Sequence, residues 1–140
     1  MKLYSFVHSY LSGIQKGIQT AHVVGELVKK YHHKLSGPHS FQAGQLLQDW
    51  IEKSPTISVL EGGDDFSLNE FWNLLSVDSE QLYPWAYFAE DSLGGITSAV
   101  GIILPIEWSG TAHRKKIAMR DPDPFRRELA QKLLDARTAL

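Results

Sequence analysis

The segment Leu11-Ser-Gly-Ile-Gln-Lys-Gly-Ile-Gln-Thr-Ala-His-Val23 directly follows a short apolar stretch, Lys2 to His8. That stretch predicts a buried strand, because its apolar and aromatic side chains fit no helical period. Ser12 and Gln15 then have the spacing of a capping box, in which a hydroxyl and an amide satisfy free N–H groups at the start of a helix. The segment therefore predicts a strand, a short loop and a helix that runs to about Lys34.

Apolar residues within this helix recur at spacings of three and four, which is typical of an amphipathic helix. They predict its buried face, and they are Ile14, Ile18, Ala21, Val24, Val28 and Tyr31. Gly37-Pro38 follows and prevents the helix from continuing.

A second informative segment is Phe88-Ala-Glu-Asp-Ser-Leu-Gly-Gly-Ile-Thr-Ser-Ala-Val100. It predicts an acidic turn with a Gly-Gly pair between two strands, at 84–89 and 96–104. Elsewhere the pattern predicts helices at 41–53 and 68–75, a strand at 56–60 and a last helix that begins at Asp123. Residues 106–122 are predicted to form a loop.

The predicted order is therefore β-α-α-β-α-β-β-α, in which strands and helices alternate before a hairpin-like pair. This order favours a single α/β domain with a four-stranded mixed sheet and helices on both faces. Residues 1–105 would form the main body of that domain. Residues 106–140 would add a C-terminal loop and helix packed on the same domain.

Composition limits the classes of function. The formal net charge of −2 and a pI near 6.3 argue against a broadly basic, DNA-coating surface. The run His113-Arg-Lys-Lys116 could still contact an RNA backbone, or it could be a solvated loop. No apolar run reaches the roughly 18 residues that a membrane span requires, and the N-terminus resembles no secretory signal, so we expect a cytoplasmic protein.

Neither a metal nor another cofactor is expected. The chain has no Cys, which excludes disulfides and thiolate metal ligands. His32, His33 and His39 are close in sequence, but no carboxylate accompanies them at ligand spacing.

Four polar residues of the first helix, Gln15, Gln19, His22 and Glu26, recur at spacings that form one stripe. As a site wall, the amides would bind a phosphate or an ester carbonyl, and His22 would move a proton near neutral pH. The same stripe could instead be a solvated helix face. Lys16 lies in the first turn, where a cation is unfavourable for the helix dipole. It therefore either serves a ligand or is an exposed, solubilising residue.

Three further residues could line the same site at the ends of predicted strands. Asp91 could orient a water molecule or an ammonium group, or it could be a solvated turn residue. Thr97 could donate to an ester carbonyl, or it could be an ordinary β-branched strand residue. His8 ends the first strand, and open sheets of this class bind ligands at the carboxyl ends of strands; a structural role is its alternative.

Together, the two segments resemble the peptidyl-tRNA hydrolase 2 family, over about residues 2 to 105. Gln19-Thr-Ala-His22 matches the family's Q-x-x-H pattern, and Ser12-Gly13 matches the small residues before it. Thr56-Ile-Ser-Val-Leu-Glu61 matches the family's middle strand. Glu90-Asp91-Ser-Leu93 followed by Thr97 is similar to the family's acidic loop.

The resemblance implies hydrolysis of the ester bond between a peptide and tRNA, in a protein that could form a homodimer. His22, Lys16 and Asp91 would then be catalytic, and Gln15, Gln19, Thr97 and His8 would bind substrate. The family has a lysine four residues before the glutamine, whereas this chain has Gln15 there and Lys16 one residue later. Because one residue is a rotation of about 100° on a helix, Lys16 need not reach the place of the family's lysine. The alternative is a non-catalytic domain of this fold that binds a nucleotide, RNA or a protein partner.

Overall fold

The protein is described by a computed structural model that covers residues 1–31, 38–78 and 80–139. The strands are β1 (Lys2–His8), β2 (Ile57–Gly63), β3 (Trp85–Glu90) and β4 (Ile96–Leu104). The described residues also form five α-helices, namely α1 (Gly13–Tyr31), α2 (Pro38–Lys53), α3 (Asp65–Ser76), α4 (Thr111–Arg120) and α5 (Pro124–Asp135).

The four strands form one mixed sheet with the order β2-β1-β4-β3. β1 pairs with β2 in parallel, and β4 pairs with both β1 and β3 in an antiparallel manner. The prediction of an α/β domain with a four-stranded mixed sheet is therefore confirmed. The strand predicted at 96–104 is confirmed at both ends.

Each face of the sheet covers its own apolar core, because side chains alternate between the faces along a strand. One core joins β1 side chains such as Leu3 and Val7 to α1 and α2. The other joins Tyr4 and Phe6 to α3, α4 and α5, and it contains the fully buried Trp108. We call these two sides the α1 face and the α3 face.

The buried face of α1 differs from the predicted one. Ile14 is 80% exposed, and Ile18, Ala21 and Val28 are also exposed. The residues that pack on the sheet are Lys16, Gln19, Thr20, Val23, Leu27 and Tyr31. This second stripe also has helical spacing, but it begins with polar residues because they lie over a polar end of the sheet.

Two further predictions about helices are wrong. Helix α4 occupies Thr111–Arg120, where a loop was expected. The sequence did not reveal this helix, because its apolar pattern is weak and Ile117 is its only buried residue. Helix α3 begins at Asp65 instead of 68, since the carboxylate of Asp64 caps it by accepting from the backbone N–H of Ser67. By contrast, the predicted start of α5 is confirmed, with Asp123 as its cap and Pro124 in its first turn.

Residues 137–139 add a short pairing to the outer edge of β2. The N–H of Glu61 donates to the carbonyl of Arg137, and the N–H of Ala139 donates to the carbonyl of Val59. Leu60 and Thr138 form an antiparallel bridge between these two bonds. This edge of the sheet is therefore covered, whereas β3 forms the opposite edge. Within the described ranges, no helix has the length and apolar character that crossing a membrane requires.

Candidate functional site

A cluster of polar side chains lies at the end of the sheet where β1, β2 and β3 finish and β4 begins. The strand directions bring His8, Glu61, Glu90 and Thr97 to this end. Helix α1 starts just after β1, so its first turns lie over the same end of the sheet on the α1 face. The fold therefore assembles the cluster from residues that are far apart in sequence.

The centre of the cluster is an ion pair between Lys16 and Glu61. The Lys16 Nζ atom donates to Glu61 Oε1 over 2.7 Å. The Lys16 side chain is only 9% exposed, whereas that of Glu61 is 32% exposed. The interpretation of Lys16 as an exposed, solubilising residue is therefore wrong: its side chain is buried, and of the pair only the Glu61 side chain is partly exposed.

The electrostatics of this pair keep Glu61 ionised. The Lys16 ammonium that donates to it holds the pKa of the Glu61 carboxyl below its usual value. The second oxygen, Oε2, is buried and accepts no hydrogen bond of normal geometry within the described part of the chain, although the nearby Ser9 hydroxyl also lowers the pKa of this carboxyl. An unpaired buried oxygen costs free energy. A water molecule or a substrate hydroxyl that donates a hydrogen bond to Oε2 would remove that cost.

Gln19 lies one helical turn after Lys16 and connects α1 to strands β3 and β4. Its side-chain amide donates to Glu90 Oε2 over 3.1 Å, and its carbonyl accepts from Ser98 Oγ over 2.6 Å. The bond from Gln19 lowers the pKa of the Glu90 carboxyl. Next to this network, the hydroxyls of Ser5 and Thr20 share a buried hydrogen bond of 2.8 Å.

A β-bulge in β4 gives Ser98 this orientation. Phe88 pairs with Ala99 and Ala89 pairs with Thr97, so Ser98 has no opposite residue on β3. A bulge of this kind redirects side chains and is common next to active sites. Here it turns Ser98 toward α1, while the Thr97 hydroxyl donates to Asn69 of α3 on the other face.

A second irregularity, in β2, directly follows Glu61. Val7 pairs with Glu61 and His8 pairs with Gly63, so Gly62 is the extra residue. A Cβ atom on Gly62 would lie 2.5 Å from a methyl group of Leu68 and 2.9 Å from the carbonyl oxygen of Val7. Only glycine fits this close approach.

The structure divides the predicted site residues between the two faces. Lys16 and Gln19 lie together in the cluster on the α1 face. Thr97 lies on the α3 face, where its N–H also donates to Asp65. His8 is buried, and its Nδ1 accepts from the backbone N–H of Tyr10.

The remaining predicted residues lie at the margin of the cluster. Gln15 is exposed and exchanges hydrogen bonds with Ser12, which confirms the predicted capping box. His22 is exposed, and its ring stacks on Phe88 with 4.2 Å between ring centroids. Asp91 is exposed in a turn of 3₁₀ helix, Asp91–Leu93, and among the described residues no hydrogen bond or ion pair joins its carboxylate to Lys16.

Three members of the cluster were not predicted as site residues, namely Glu61, Glu90 and Ser98. Glu61 and Glu90 directly follow predicted strands, and that position was the available signal. The signal for Ser98 was absent, because strict alternation along β4 places it on the α3 face.

No group of three or more His, Asp or Glu side chains within the described ranges could hold a metal ion. His32 and His33 lie outside those ranges, as does the predicted end of α1 near Lys34. Comparison with protein-family models and with curated proteins gives no match to this sequence.

Proposed function

We propose that this protein hydrolyses the ester bond between tRNA and a peptide or an N-blocked amino acid. The observation that carries the proposal is the ion pair of Lys16 and Glu61, which combines a buried ammonium with an ionised glutamate whose side chain is partly exposed. Ester hydrolysis requires a base for the attacking water and a positive charge or hydrogen-bond donor for the oxyanion that forms.

In the proposed reaction, water binds to Glu61 Oε2 and attacks the ester carbonyl carbon. Glu61 accepts the proton of that water, and the Lys16 ammonium stabilises the negative charge on the tetrahedral oxygen. The bond between the carbonyl carbon and the ribose oxygen then breaks, and the proton passes from Glu61 to the leaving ribose oxygen. Glu61 thus takes the role of orienting the attacking water, which the sequence suggested for His22 or Asp91.

Gln19 would act as a positioning residue in this scheme. Both ends of its side chain are hydrogen-bonded, to Glu90 and to Ser98, so its orientation is fixed. Its backbone lies one turn from Lys16, and a fixed Gln19 therefore keeps this part of α1 against the sheet. Homodimer formation, which the resemblance implies, remains a prediction.

A non-catalytic domain that binds a nucleotide, RNA or a protein partner is the second candidate. The observation that favours it is the carbonyl of Ala139, which lies 3.5 Å from Lys16 Nζ. Glu61 and Ala139 together give the ammonium two acceptors without any ligand. The ion pair would then stabilise the fold and leave binding to the surrounding surface.

The experiment that separates the candidates is release of the N-acetylated amino acid from N-acetyl-aminoacyl-tRNA by the purified protein. We expect turnover by the wild type, and we expect Glu61→Gln to reduce kcat by about a hundredfold, which corresponds to about 2.7 kcal/mol of barrier. Glutamine retains the volume of Glu61 and can accept from Lys16, but it cannot accept the proton of the water.

Lys53→Gln is the matched control, because Lys53 forms an exposed ion pair with Asp49 over 3.5 Å on α2. It should leave kcat within twofold of the wild type. Folding of each variant is checked by thermal unfolding. A folded wild type without turnover, or a folded Glu61→Gln with full turnover, would exclude the proposed reaction at this site.

A further inference from the structure

Edge strand β3 carries two stacked aromatic pairs, one on each face of the sheet. On the α3 face, Tyr87 stacks on Trp72 with 5.0 Å between ring centroids and 13° between ring planes. On the α1 face, Phe88 stacks on His22. Tyr87 is 41% exposed and His22 is also exposed, so each pair presents a ring to solvent.

Hydrogen bonds hold the Trp72 ring in place and connect it to the polar end of the sheet. The indole N–H of Trp72 donates to Asn69 Oδ1 over 2.9 Å. The same oxygen accepts from the Thr97 hydroxyl over 2.6 Å. The ring beneath Tyr87 is therefore fixed, and Tyr87 is supported as a flat, partly exposed surface.

Two basic residues lie beside these rings. A pocket of about 390 Å³ at this edge is lined by Tyr87 and Ala86 of β3 and by Glu26, Lys29 and Lys30 of α1. Lys29 is exposed, while Lys30 places its ammonium 3.5 Å from the centroid of the Trp85 ring. Aromatic rings next to basic side chains are the usual means by which proteins bind unpaired nucleotides.

The position of this surface relates it to the candidate site. Tyr87 precedes Glu90 by three residues in the same strand, which is about 10 Å at the rise of a β-strand. Glu90 is bonded to Gln19 in the cluster. A strand of nucleotides along the edge of β3 would thus lead to the cluster.

We propose that this edge, formed by Trp72, Tyr87, His22, Phe88 and Lys29, binds the unpaired 3′ nucleotides of the tRNA substrate. This inference rests on the proposed function for the identity of the substrate. Tyr87 stacks on a base, and Lys29 contacts a phosphate. The surface tolerates any base, because every base has a π face.

The test measures binding of a fluorescein-labelled, single-stranded RNA octamer that ends in CCA, by fluorescence anisotropy, with no ester present. We expect Tyr87→Ala to weaken binding about tenfold, while Tyr87→Phe, which retains the ring, stays within twofold of the wild type. Tyr10→Ala is the matched control, because Tyr10 is 87% exposed and its ring contacts His8 instead of Trp72 or Tyr87. An octamer without bases should bind as weakly as Tyr87→Ala binds the normal one.

A second variant tests the phosphate contact without removing a ring. Lys29→Gln should reduce the salt dependence of binding by about 0.7 in the slope of log K against log salt concentration, the value for one phosphate of a single strand. Lys53→Gln, whose exposed side chain lies on α2, should leave the slope unchanged. Equal slopes for Lys29→Gln and the wild type would remove Lys29 from the surface.

The inference is overturned if wild-type protein does not bind the octamer, if the octamer without bases binds equally well, or if Tyr87→Ala binds like the wild type. These results are distinguishable from failure of the proposed function, because binding requires no hydrolysis. Binding that depends on Tyr87 without turnover would retain the surface and exclude the reaction. Turnover with an unchanged KM in Tyr87→Ala would retain the reaction and exclude the surface.

Discussion

Removing the ammonium of Lys16 should cost stability in a way that depends on Glu61 and on pH. Lys16→Met keeps the length of the aliphatic side chain and removes the charge. Glu61→Met does the same for the carboxylate, and the double variant completes a cycle that isolates the interaction between the two groups.

The magnitude follows from the geometry. At the 2.7 Å separation of Lys16 Nζ and Glu61 Oε1, Coulomb's law with an effective dielectric constant of about 20 gives an attraction of about 6 kcal/mol. Solvent screening at the carboxylate, whose side chain is 32% exposed, reduces this value. We therefore expect a coupling free energy of about 2 to 3 kcal/mol at pH 7, between the values for exposed and fully buried pairs.

The pH dependence has a defined sign. The pKa of Glu61 in the folded protein lies below its ordinary value of 4.5. A carboxyl group of this kind contributes stability that is fully present above the pKa of the unfolded chain, and loses it as the pH falls through the folded-state pKa. The coupling should therefore be constant between pH 6 and 8 and should decrease below about pH 4.5.

Urea unfolding of the four proteins at pH 7 and pH 3.5 measures the coupling directly. The exposed pair of Asp49 and Lys53 on α2 serves as a matched cycle, and its coupling should be about 0.3 to 0.5 kcal/mol. A Lys16–Glu61 coupling as small as that of the control pair, or one that does not decrease at low pH, would refute the account of the ion pair given above.

Two further predictions concern the local structure that positions the cluster. Gly62→Ala should destabilise the protein by about 2 to 3 kcal/mol in urea unfolding, because the added methyl group meets Leu68 and the backbone of Val7; Gly17→Ala, in α1 with open space around its Cα, should instead stabilise by up to about 1 kcal/mol. Equal effects at the two glycines would contradict the steric argument. Asp123→Ala should destabilise by about 1 kcal/mol, because it removes the cap of α5, and Asp123→Asn should recover most of that loss in the same assay.

Local patterns predicted much of the fold. The capping box of Ser12 and Gln15 depends on residues three apart, and the structure contains it as predicted. The start of α5 depends on Asp123 and Pro124, which are adjacent. Such features are determined by a few neighbouring residues, and sequence alone therefore reveals them.

Features that depend on distant residues were predicted less well. Two stripes of α1 have helical spacing, and the buried one packs on the sheet and pairs Lys16 with Glu61, which is 45 residues away. Similarly, the orientation of Ser98 depends on a bulge that appears only when β4 pairs with β3. Helix α4 was missed because it has few buried residues and is held by its contacts with the α3 face.

The pairing of residues 137–139 with β2 has a consequence for the nascent chain. The carbonyl of Ala139 lies beside Lys16, a separation of 123 residues in sequence, and Thr138 bridges to Leu60. During translation, β1, α1 and β2 leave the ribosome long before this segment does, so the outer edge of β2 stays unpaired until residues 137–139 have emerged. Contacts between such distant residues form late in folding. The surroundings of Lys16 are therefore completed only after residue 139 has emerged, and a ribosome-bound chain presents an open strand edge where the finished protein has a closed one.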